Sequence, residues 1–335
     1  MTTNNLTHAH ILLIPHAAFM YERSAAADRV LSTALDPAVQ VTQGEEIPPE
    51  TEILVAGRPS RAQLSSPNLQ ALIIPWAGLP HEMKAILPDF PHISVHNLHH
   101  NAAPVAETAV SLLLSAAKLT IPYDRALRHH DWRIRYEPSP TLTLTGKTAL
   151  ILGYGAIGQR VARICQAMEM TVLATKRSAT TVSSDAYAEI HPAAALPDLL
   201  PRAHALIICL PLTAETEGLI GKAELAALPP HAMLVNVGRG PIVDEHALYE
   251  ALVAGTLHGA GLDVWFNYPA DKAARPHTPA ANVPLHELDN IVMSPHHAGL
   301  TRDNDRLRMI HLADLLNHAA RGEPLPNKVA LEKGY

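Results

Sequence analysis

The sequence has few cysteines and no excess of positive charge, and each of these shortages argues against a class of protein. Only two of its 335 residues are cysteine, Cys165 and Cys209, and neither has the CxxC or Cys/His spacing of a metal site. We therefore expect two buried, reduced thiols in a cytoplasmic protein. The formal net charge of −6 at pH 7 disfavours a nucleic-acid or anionic-membrane partner.

Membrane-spanning and secretory features are also lacking. No apolar run approaches the roughly 20 residues that a transmembrane helix needs. The opening MTTNNLTHAH has no positively charged region, so we expect no secretory signal. Apolar residues make up 47% and charged residues 17% of the chain, which is typical of globular proteins, and the length allows two domains with a core each.

Short β-branched and leucine-rich runs alternate with helical stretches, which predicts doubly wound α/β layers. Several runs, such as ALILG and ALIICLP, are apolar on both faces, as expected of parallel strands covered by helices. A first series of strands is predicted at 10–15, 52–56, 72–75 and 93–96. A second series, with the extent of a six-stranded Rossmann sheet, is predicted at 148–153, 171–175, 205–210, 233–237, 261–264 and 290–294.

The stretch between the two series indicates where the domains divide. A long apolar-faced helix is predicted at 105–119, and Pro122 should end it. We place the boundaries so that residues 1–103 and 296–335 form one domain and residues 104–295 the other. A C-terminal helix at 303–321 would return to the first domain.

The segment ALILGYGAIGQRVARICQAM reads as a strand, a glycine turn and an amphipathic helix in immediate succession. A GxGxxG pattern alone is weak evidence, but this one lies where a dinucleotide site requires it. Gly153 would form the tight turn, Gly155 would let the backbone approach a pyrophosphate, and Gly158 would let helix and strand pack closely. The N–H groups around Ala156 and Ile157, at the start of the helix, would bind the phosphates.

The next strand ends in Lys176, Arg177 and Ser178, near the position where a carboxylate would bind the ribose 2′-hydroxyl of NAD. A carboxylate there would repel a 2′-phosphate, whereas Lys and Arg side chains attract one. We therefore predict a preference for NADP(H). The alternative is a solvated basic turn in an enzyme that uses NAD.

Two segments near strand ends carry ionisable groups, Arg239 in LVNVGRGPIVDEHAL and His296 in MSPHHAGLT. Both fall at the carboxyl ends of predicted strands, where open α/β sheets bind ligands. A guanidinium can anchor a carboxylate and polarise a neighbouring carbonyl. An imidazole that titrates near neutrality can deliver the proton that accompanies hydride transfer. These residues indicate a nicotinamide-dependent oxidoreductase.

With the blocks NAAPVAE, LTGKTALILGYGAIG, LPLTAETEGLI and LDVWFNYP, these segments make the chain similar to the D-isomer-specific 2-hydroxyacid dehydrogenase family. That family includes formate, phosphoglycerate and glyoxylate/hydroxypyruvate enzymes. The resemblance implies a substrate domain, formed from both termini, around an inserted dinucleotide-binding domain, usually in a homodimer. It also implies hydride transfer between the nicotinamide and a small 2-hydroxy or 2-oxo acid.

The resemblance assigns roles to particular residues. It implies that Arg239 binds the substrate and that His296 is the acid/base. The loop of Trp76, Ala77 and Gly78 resembles a loop whose N–H groups hold the substrate carboxylate. Further residues expected at the site are Asn101, which faces the active site in relatives, Asp263, which would face the nicotinamide carboxamide, and the cofactor-binding candidates Pro211, Thr216 and Val237.

One position departs from the family pattern. Relatives normally have a Glu that is hydrogen-bonded to the catalytic histidine, and here that position is Tyr268, before Pro269. A carboxylate would raise the pKa of His296, whereas a neutral phenol supplies only a hydrogen bond. We therefore expect Tyr268 to contact His296 and the pH optimum of reduction to be lower than in a Glu-containing relative.

Two alternative functions remain open. Formate dehydrogenases also lack this Glu, so a formate- or phosphite-type dehydrogenase is one. The family also contains transcriptional co-repressors, so the other is a dinucleotide-sensing protein without turnover; Arg239 and His296 argue against it.

The clustered histidines at 92–100 do not predict a metal site. If 92–96 is a strand, His92 and His96 lie about 13 Å apart on one face, too far to share one ion. His99 and His100 would line the substrate pocket, and the alternative is that they are exposed loop histidines. We predict no metal in this protein.

Overall fold

The computed structural model describes residues 10–13 and 25–333. Contacts divide the chain into two units, which separate after Asn101 and again after Gly299. The domain boundaries predicted from the sequence, 103/104 and 295/296, lie within a few residues of these two points.

The described residues form two sheets with helices between their strands. The strands are β1 (His10–Leu13), β2 (Gln40–Gln43), β3 (Ile53–Val55), β4 (Ala71–Ile74), β5 (Ser94–Asn97), β6 (Thr148–Leu152), β7 (Thr171–Lys176), β8 (Ser183–Ser184), β9 (Glu189–Pro192), β10 (Ala205–Ile208), β11 (Ala232–Asn236), β12 (Leu257–Leu262) and β13 (Ile291–Met293). The α-helices are α1 (Ala25–Ala34), α2 (Arg61–Leu64), α3 (His81–Ile86), α4 (Ala102–Lys118), α5 (Thr120–Arg128), α6 (Ala156–Ala167), α7 (Leu196–Leu199), α8 (Lys222–Ala227), α9 (Glu245–Val253) and α10 (Asn304–Ala320).

The first unit contains a parallel sheet in the order β2-β1-β3-β4-β5. Successive side chains of a strand point to opposite faces, so Ile53 packs with α1 and α10 while Leu54 packs with α2 and α3. The helix predicted at 303–321 is α10, and it belongs to this unit. The sequence did not predict β2, because its segment, QVTQ, is an edge strand without an apolar run. Residues 14 and 15 of the first predicted strand lie outside the described residues.

The second unit contains a larger sheet than the sequence predicted. Its order is β13-β12-β11-β10-β6-β7-β9-β8, and all neighbours are parallel except β8, which runs antiparallel to β9. The six-stranded prediction missed β8 and β9, which lie at one edge and are short and partly polar. After β6 the chain adds β7 on one side of β6, and later it adds β10 on the other side of β6. The boundary between β6 and β10 is therefore a topological switch point, where sheets of this kind bind ligands.

The long helix ends for a different reason than the one expected. The prediction that Pro122 ends it is wrong, because α4 already stops at Lys118 and Leu119 takes a left-handed φ of 50°. Pro122 instead lies in the first turn of α5, where its missing N–H costs no helical hydrogen bond. Among the described residues no single helix is long and apolar enough to cross a bilayer, and α4 with α5 reaches that length and composition only as a pair bent by 65°.

Candidate active site

The glycine turn joins β6 to α6 at the switch point. Gly153 has a φ of 96°, which favours glycine, and its N–H donates to the carbonyl of Thr175 at 3.2 Å. A Cβ on Gly158 would lie 2.1 Å from the carbonyl oxygen of Gly153, so only glycine lets α6 pack this close to the turn. The strand, turn and helix thus have the local geometry that the sequence pattern predicts.

The outer side of this turn fits a dinucleotide pyrophosphate. A Cβ on Gly155 would meet no protein atom within 4 Å, so packing inside the protein does not require glycine there. No side chain caps the start of α6 at Gly155, so the N–H groups of Ala156 and Ile157 are the donors that this helix end offers. An anion with several oxygen acceptors matches that set of donors.

The segments that follow β7, β10 and β11 contain the other cofactor-binding candidates. Lys176, Arg177 and Ser178 are exposed at the end of β7, next to the turn. The hydroxyl of Thr216 donates to the carbonyl of Pro211 at 2.7 Å and thereby closes the loop after β10. Val237 is buried after β11, and its N–H donates to Ile208.

Arg239 follows β11 in a turn that a buried amide side chain holds. The side chain of Asn236 donates to the carbonyl of Arg239 at 2.9 Å and accepts from the N–H of Gly238 at 3.0 Å. A Cβ on Gly240 would lie 2.3 Å from the carbonyl oxygen of Trp265, so the turn packs directly against backbone. The guanidinium is exposed, and one of its N–H groups donates to the carbonyl of Gly238 at 2.7 Å.

Asp263 organises the loop that follows β13. Its carboxylate is only 1% exposed and accepts from the hydroxyl of Ser294 at 2.6 Å, from the N–H of His297 at 2.9 Å and from the N–H of Ala298 at 3.1 and 3.2 Å. These contacts surround His296, whose backbone has a left-handed φ of 55°. The structure therefore shows a carboxylate engaged with the His296 loop, and a contact with the nicotinamide carboxamide stays a prediction.

Tyr268 contacts His296, as the sequence predicts. Its hydroxyl lies 2.9 Å from Nδ1 of His296 and accepts from the N–H of Trp265 at 3.2 Å. The indole N–H of Trp265 donates to the carbonyl of Ser294 at 2.8 Å, which ties the tyrosine segment to the histidine loop. A phenol hydroxyl can donate to Nδ1 or accept from it, so this contact suits both the neutral and the charged imidazole.

Electrostatics around the pair favour the neutral imidazole. Although His296 is an exposed residue, the protein around it excludes part of its water, and this desolvation lowers its pKa. The positive charge of Arg239 lowers the pKa further, while Asp263 acts in the opposite direction. Burial raises the pKa of Tyr268, so the phenol stays uncharged beside the ring.

The structure thus brings Arg239, Asp263, Tyr268 and His296 together within the second unit. Sequence reasoning missed three residues that hold them in place, namely Asn236, Ser294 and Trp265. A polar residue at the end of a buried strand was the available signal for Asn236. The sequence contains no comparable signal for the backbone contacts of Trp265.

The candidates of the first unit lie after β4 and β5. The side chain of Asn97 donates to the carbonyl of Ala77 at 2.7 Å, which fixes the loop that contains Gly78. Asn101 is half-buried, and His100 is buried. The alternative of an exposed loop histidine is therefore wrong for His100, and its burial, followed by the charge of Arg308, lowers its pKa to about 3.

His92, His96 and the two cysteines show no sign of a metal site. His92 is exposed and precedes β5, so the expected strand 92–96 starts too early, whereas His96 is buried with its Nδ1 2.8 Å from the carbonyl of Pro326. Among the described residues no group of three or more His, Cys, Asp or Glu side chains could hold a metal ion. Cys165 and Cys209 are unpaired; Cys165 is buried as expected, whereas Cys209 is only partly buried, and desolvation raises the pKa of both thiols to about 12.

Comparisons with known sequences agree on one family. Residues 110–298 match the model of the D-isomer specific 2-hydroxyacid dehydrogenase, NAD binding domain. The D-3-phosphoglycerate dehydrogenase of Archaeoglobus fulgidus is 36% identical over 233 residues, which cover 69% of this chain and 41% of the relative. The glyoxylate reductase of Aeropyrum pernix is 39% identical over 234 residues, which cover 68% of this chain and 66% of the relative. The chain therefore spans less than two thirds of these relatives.

Solved structures match over almost the whole chain. A D-isomer specific 2-hydroxyacid dehydrogenase from Xanthobacter autotrophicus, solved with NADPH and MES, is 26% identical with a TM-score of 0.74 and covers 98% of this chain and 100% of its own. An NADPH-dependent glyoxylate/hydroxypyruvate reductase from Sinorhizobium meliloti has the same coverage and TM-score at 22% identity, which shows a common fold.

The pKa of His296 tests the electrostatic description of this site. We expect an NMR titration to give a pKa below the ordinary histidine value of 6.5. Replacement Tyr268→Glu should raise it, because an adjacent carboxylate favours the imidazolium, whereas Tyr268→Phe should leave it below 6.5 because no charge is added. A pKa above 6.5 in the unchanged protein, or one that does not respond to Tyr268→Glu, would contradict the description.

Proposed function

Because this chain belongs to the D-isomer-specific 2-hydroxyacid dehydrogenase family, we propose that it transfers a hydride between a nicotinamide dinucleotide and C2 of a small 2-hydroxy or 2-oxo acid. We propose the 2-oxo acid reductase direction. The observation that carries the proposal is the 2.9 Å contact between Tyr268 and His296, within the electrostatic reach of Arg239. These groups follow β11, β12 and β13, the strand ends at which α/β sheets bind ligands.

The proposed roles follow from the chemistry of each group. The guanidinium of Arg239 holds the substrate carboxylate and polarises the 2-oxo carbonyl. When bound, the reduced dinucleotide supplies the hydride that goes to C2. His296, as imidazolium, gives its proton to the carbonyl oxygen, so a neutral imidazole and a 2-hydroxy acid result. Reduction therefore needs protonated His296, and its rate should fall as pH rises through the lowered pKa of this residue.

The first unit contains further residues that we propose bind the substrate. The N–H groups of Ala77 and Gly78 bind the substrate carboxylate, and the connection to Asn97 supports this role because it holds their loop in place. We propose that Asn101 and His100 of the same unit also contact the substrate. His100 is neutral at physiological pH, so it contributes shape and hydrogen bonding rather than charge.

For the cofactor we propose NADP(H), with NAD(H) as the weaker alternative. The exposed Lys176 and Arg177 at the end of β7 support this choice, because they can pair with a 2′-phosphate. The relative from Xanthobacter autotrophicus was solved with NADPH, which also supports it.

We further propose that two copies of the chain pair and that they work in the cytoplasm. The support for pairing is that four large apolar side chains in and just after α5 are exposed, namely Ile121, Leu127, Trp132 and Tyr136, the last two being 61% and 82% exposed. Such large aromatic side chains are typical of interface centres.

The two unpaired cysteines support the proposed cytoplasmic location, because free thiols persist in a reducing compartment.

Kinetics with a panel of 2-oxo acids test the proposed function. With NADPH, Arg239→Gln and His296→Gln should each lower kcat/KM for glyoxylate or hydroxypyruvate by about 100-fold or more, because each removes transition-state stabilisation or the proton donor. NADPH binding should persist in both, and His297→Gln, an exposed neighbour, is the matched control.

Three outcomes would contradict this function. Hydride donation from formate or phosphite without 2-oxo acid reduction would favour the formate-type enzyme. Binding of NADPH without any turnover would favour a sensing protein. Full activity of the Arg239 and His296 variants would refute their assigned roles.

The cofactor proposal has its own test. Replacement Arg177→Ala should lower kcat/KM for NADPH about tenfold and change that for NADH little, because only NADPH has the 2′-phosphate. Lys147→Ala, which removes an exposed charge before the amino end of β6, is the control and should change neither. A clear preference of the unchanged enzyme for NADH would contradict the proposal.

A further inference from the structure

A hydrogen bond connects the glycine turn to a hairpin that the proposed mechanism does not use. The hydroxyl of Tyr154 donates to the carboxylate of Asp185 at 2.7 Å, across 31 positions of sequence. Tyr154 is the central residue of Gly-Tyr-Gly, so it has the only side chain among the three residues between β6 and α6. Its ring is 3% exposed and packs in the core of the second unit.

Asp185 is itself held in place. Its other carboxylate oxygen accepts from the N–H groups of Tyr187 at 2.8 Å and Ala188 at 3.0 Å, and its own N–H donates to the carbonyl of Ala188 at 3.1 Å. This turn connects β8 to β9, and β9 pairs with β7. The guanidinium of Arg163, from α6, lies 5.9 Å from the centre of the Tyr187 ring. The hairpin is thus tied to β7, the neighbour of β6 in the sheet, and to α6, the helix that follows the glycine turn.

We propose that Asp185 is a positioning residue for the dinucleotide, acting through Tyr154 to hold the glycine turn in the form that the pyrophosphate needs. Glycines on both sides leave the backbone of this turn with unusual conformational freedom. Ordering the turn only when the cofactor binds would cost conformational entropy, whereas a turn ordered beforehand avoids that cost. The inference rests on the proposed function, since it assumes that this turn binds a dinucleotide.

The protonation states of the two partners support a permanent connection. Burial, and then the bond to Asp185, raise the pKa of Tyr154, so the phenol keeps its proton. The hydroxyl of Tyr154 in turn lowers the pKa of Asp185, so the carboxylate stays charged at neutral pH. The bond should therefore keep its charged acceptor at neutral pH and weaken in acid, as pH falls through the lowered pKa of Asp185.

Two nearly isosteric variants separate this role from general stability. Tyr154→Phe keeps the ring but removes the hydroxyl that donates. Asp185→Asn keeps one oxygen, which can still accept from the N–H groups of Tyr187 and Ala188, but it removes the charged oxygen that accepts from Tyr154. We expect each to raise the Kd for NADPH, measured by nicotinamide fluorescence, and the KM for NADPH by about tenfold. The double variant should be no worse than either single one, because both remove the same bond. The kcat at saturating NADPH and the KM for the 2-oxo acid should stay within about twofold of the unchanged enzyme.

Tyr187→Phe is the matched control, because it lies in the same hairpin and keeps the ring beside Arg163; its Kd should not change. An unchanged Kd in Tyr154→Phe and Asp185→Asn, with or without a lower Tm, would overturn the positioning role. Additive losses in the double variant would overturn it as well. An unchanged protein that binds no dinucleotide would instead refute the proposed function, so the two failures are distinguishable.

Discussion

The geometry of the proposed catalytic site depends on the hydrogen bonds that the buried carboxylate of Asp263 accepts. It lies directly after β12 and accepts from Ser294, His297 and Ala298 of the loop after β13. A hydrogen bond to a charged group contributes about 1.5–3 kcal/mol, whereas a non-glycine residue in the left-handed region costs on the order of 1–3 kcal/mol. The three hydrogen bonds to Asp263 therefore outweigh the backbone strain at His296, so the loop holds the imidazole ring in a fixed position.

The same carboxylate also takes part in a balance of charges. Asp263 favours the imidazolium form of His296, while Arg239 and desolvation favour the neutral ring. A glutamate in place of Tyr268 would add a second negative charge and thereby raise the pKa of His296. The phenol of Tyr268 contacts His296 but adds no negative charge, so desolvation and Arg239 prevail and the pKa of His296 lies below its ordinary value. We therefore expect this enzyme to work at a lower pH than a relative with Glu at this position.

Features with a local cause could be predicted from the sequence. The turn at Gly153 and Gly158 follows from short-range sterics, and the strand ends at Arg239 and His296 follow from apolar runs that stop at glycine or proline. Edge strands such as β2 and β8 were missed because they are short and partly polar. The end of α4 was attributed to Pro122, although Leu119 interrupts the helix first.

Long-range contacts were the other limit of sequence reasoning. Asp263 was expected to face the nicotinamide, and nothing in its neighbourhood along the chain indicates that its partners lie 31 to 35 residues later. The bond from Tyr154 to Asp185 is of the same kind. Pairings of this kind depend on how β12 and β13, or β7 and β9, come together in the sheet, which a single sequence does not encode locally.

The most direct test of this account is the behaviour of Asp263→Asn, which keeps the shape of the side chain but replaces a charged acceptor by an amide. Turnover of a 2-oxo acid and the Kd for NADPH should be measured on the same preparation. If the carboxylate holds the His296 loop, kcat should fall by about 100-fold or more while the Kd changes less than about threefold. A weakened Kd with kcat preserved at saturating NADPH would show that the carboxylate serves the cofactor instead, and would contradict the account.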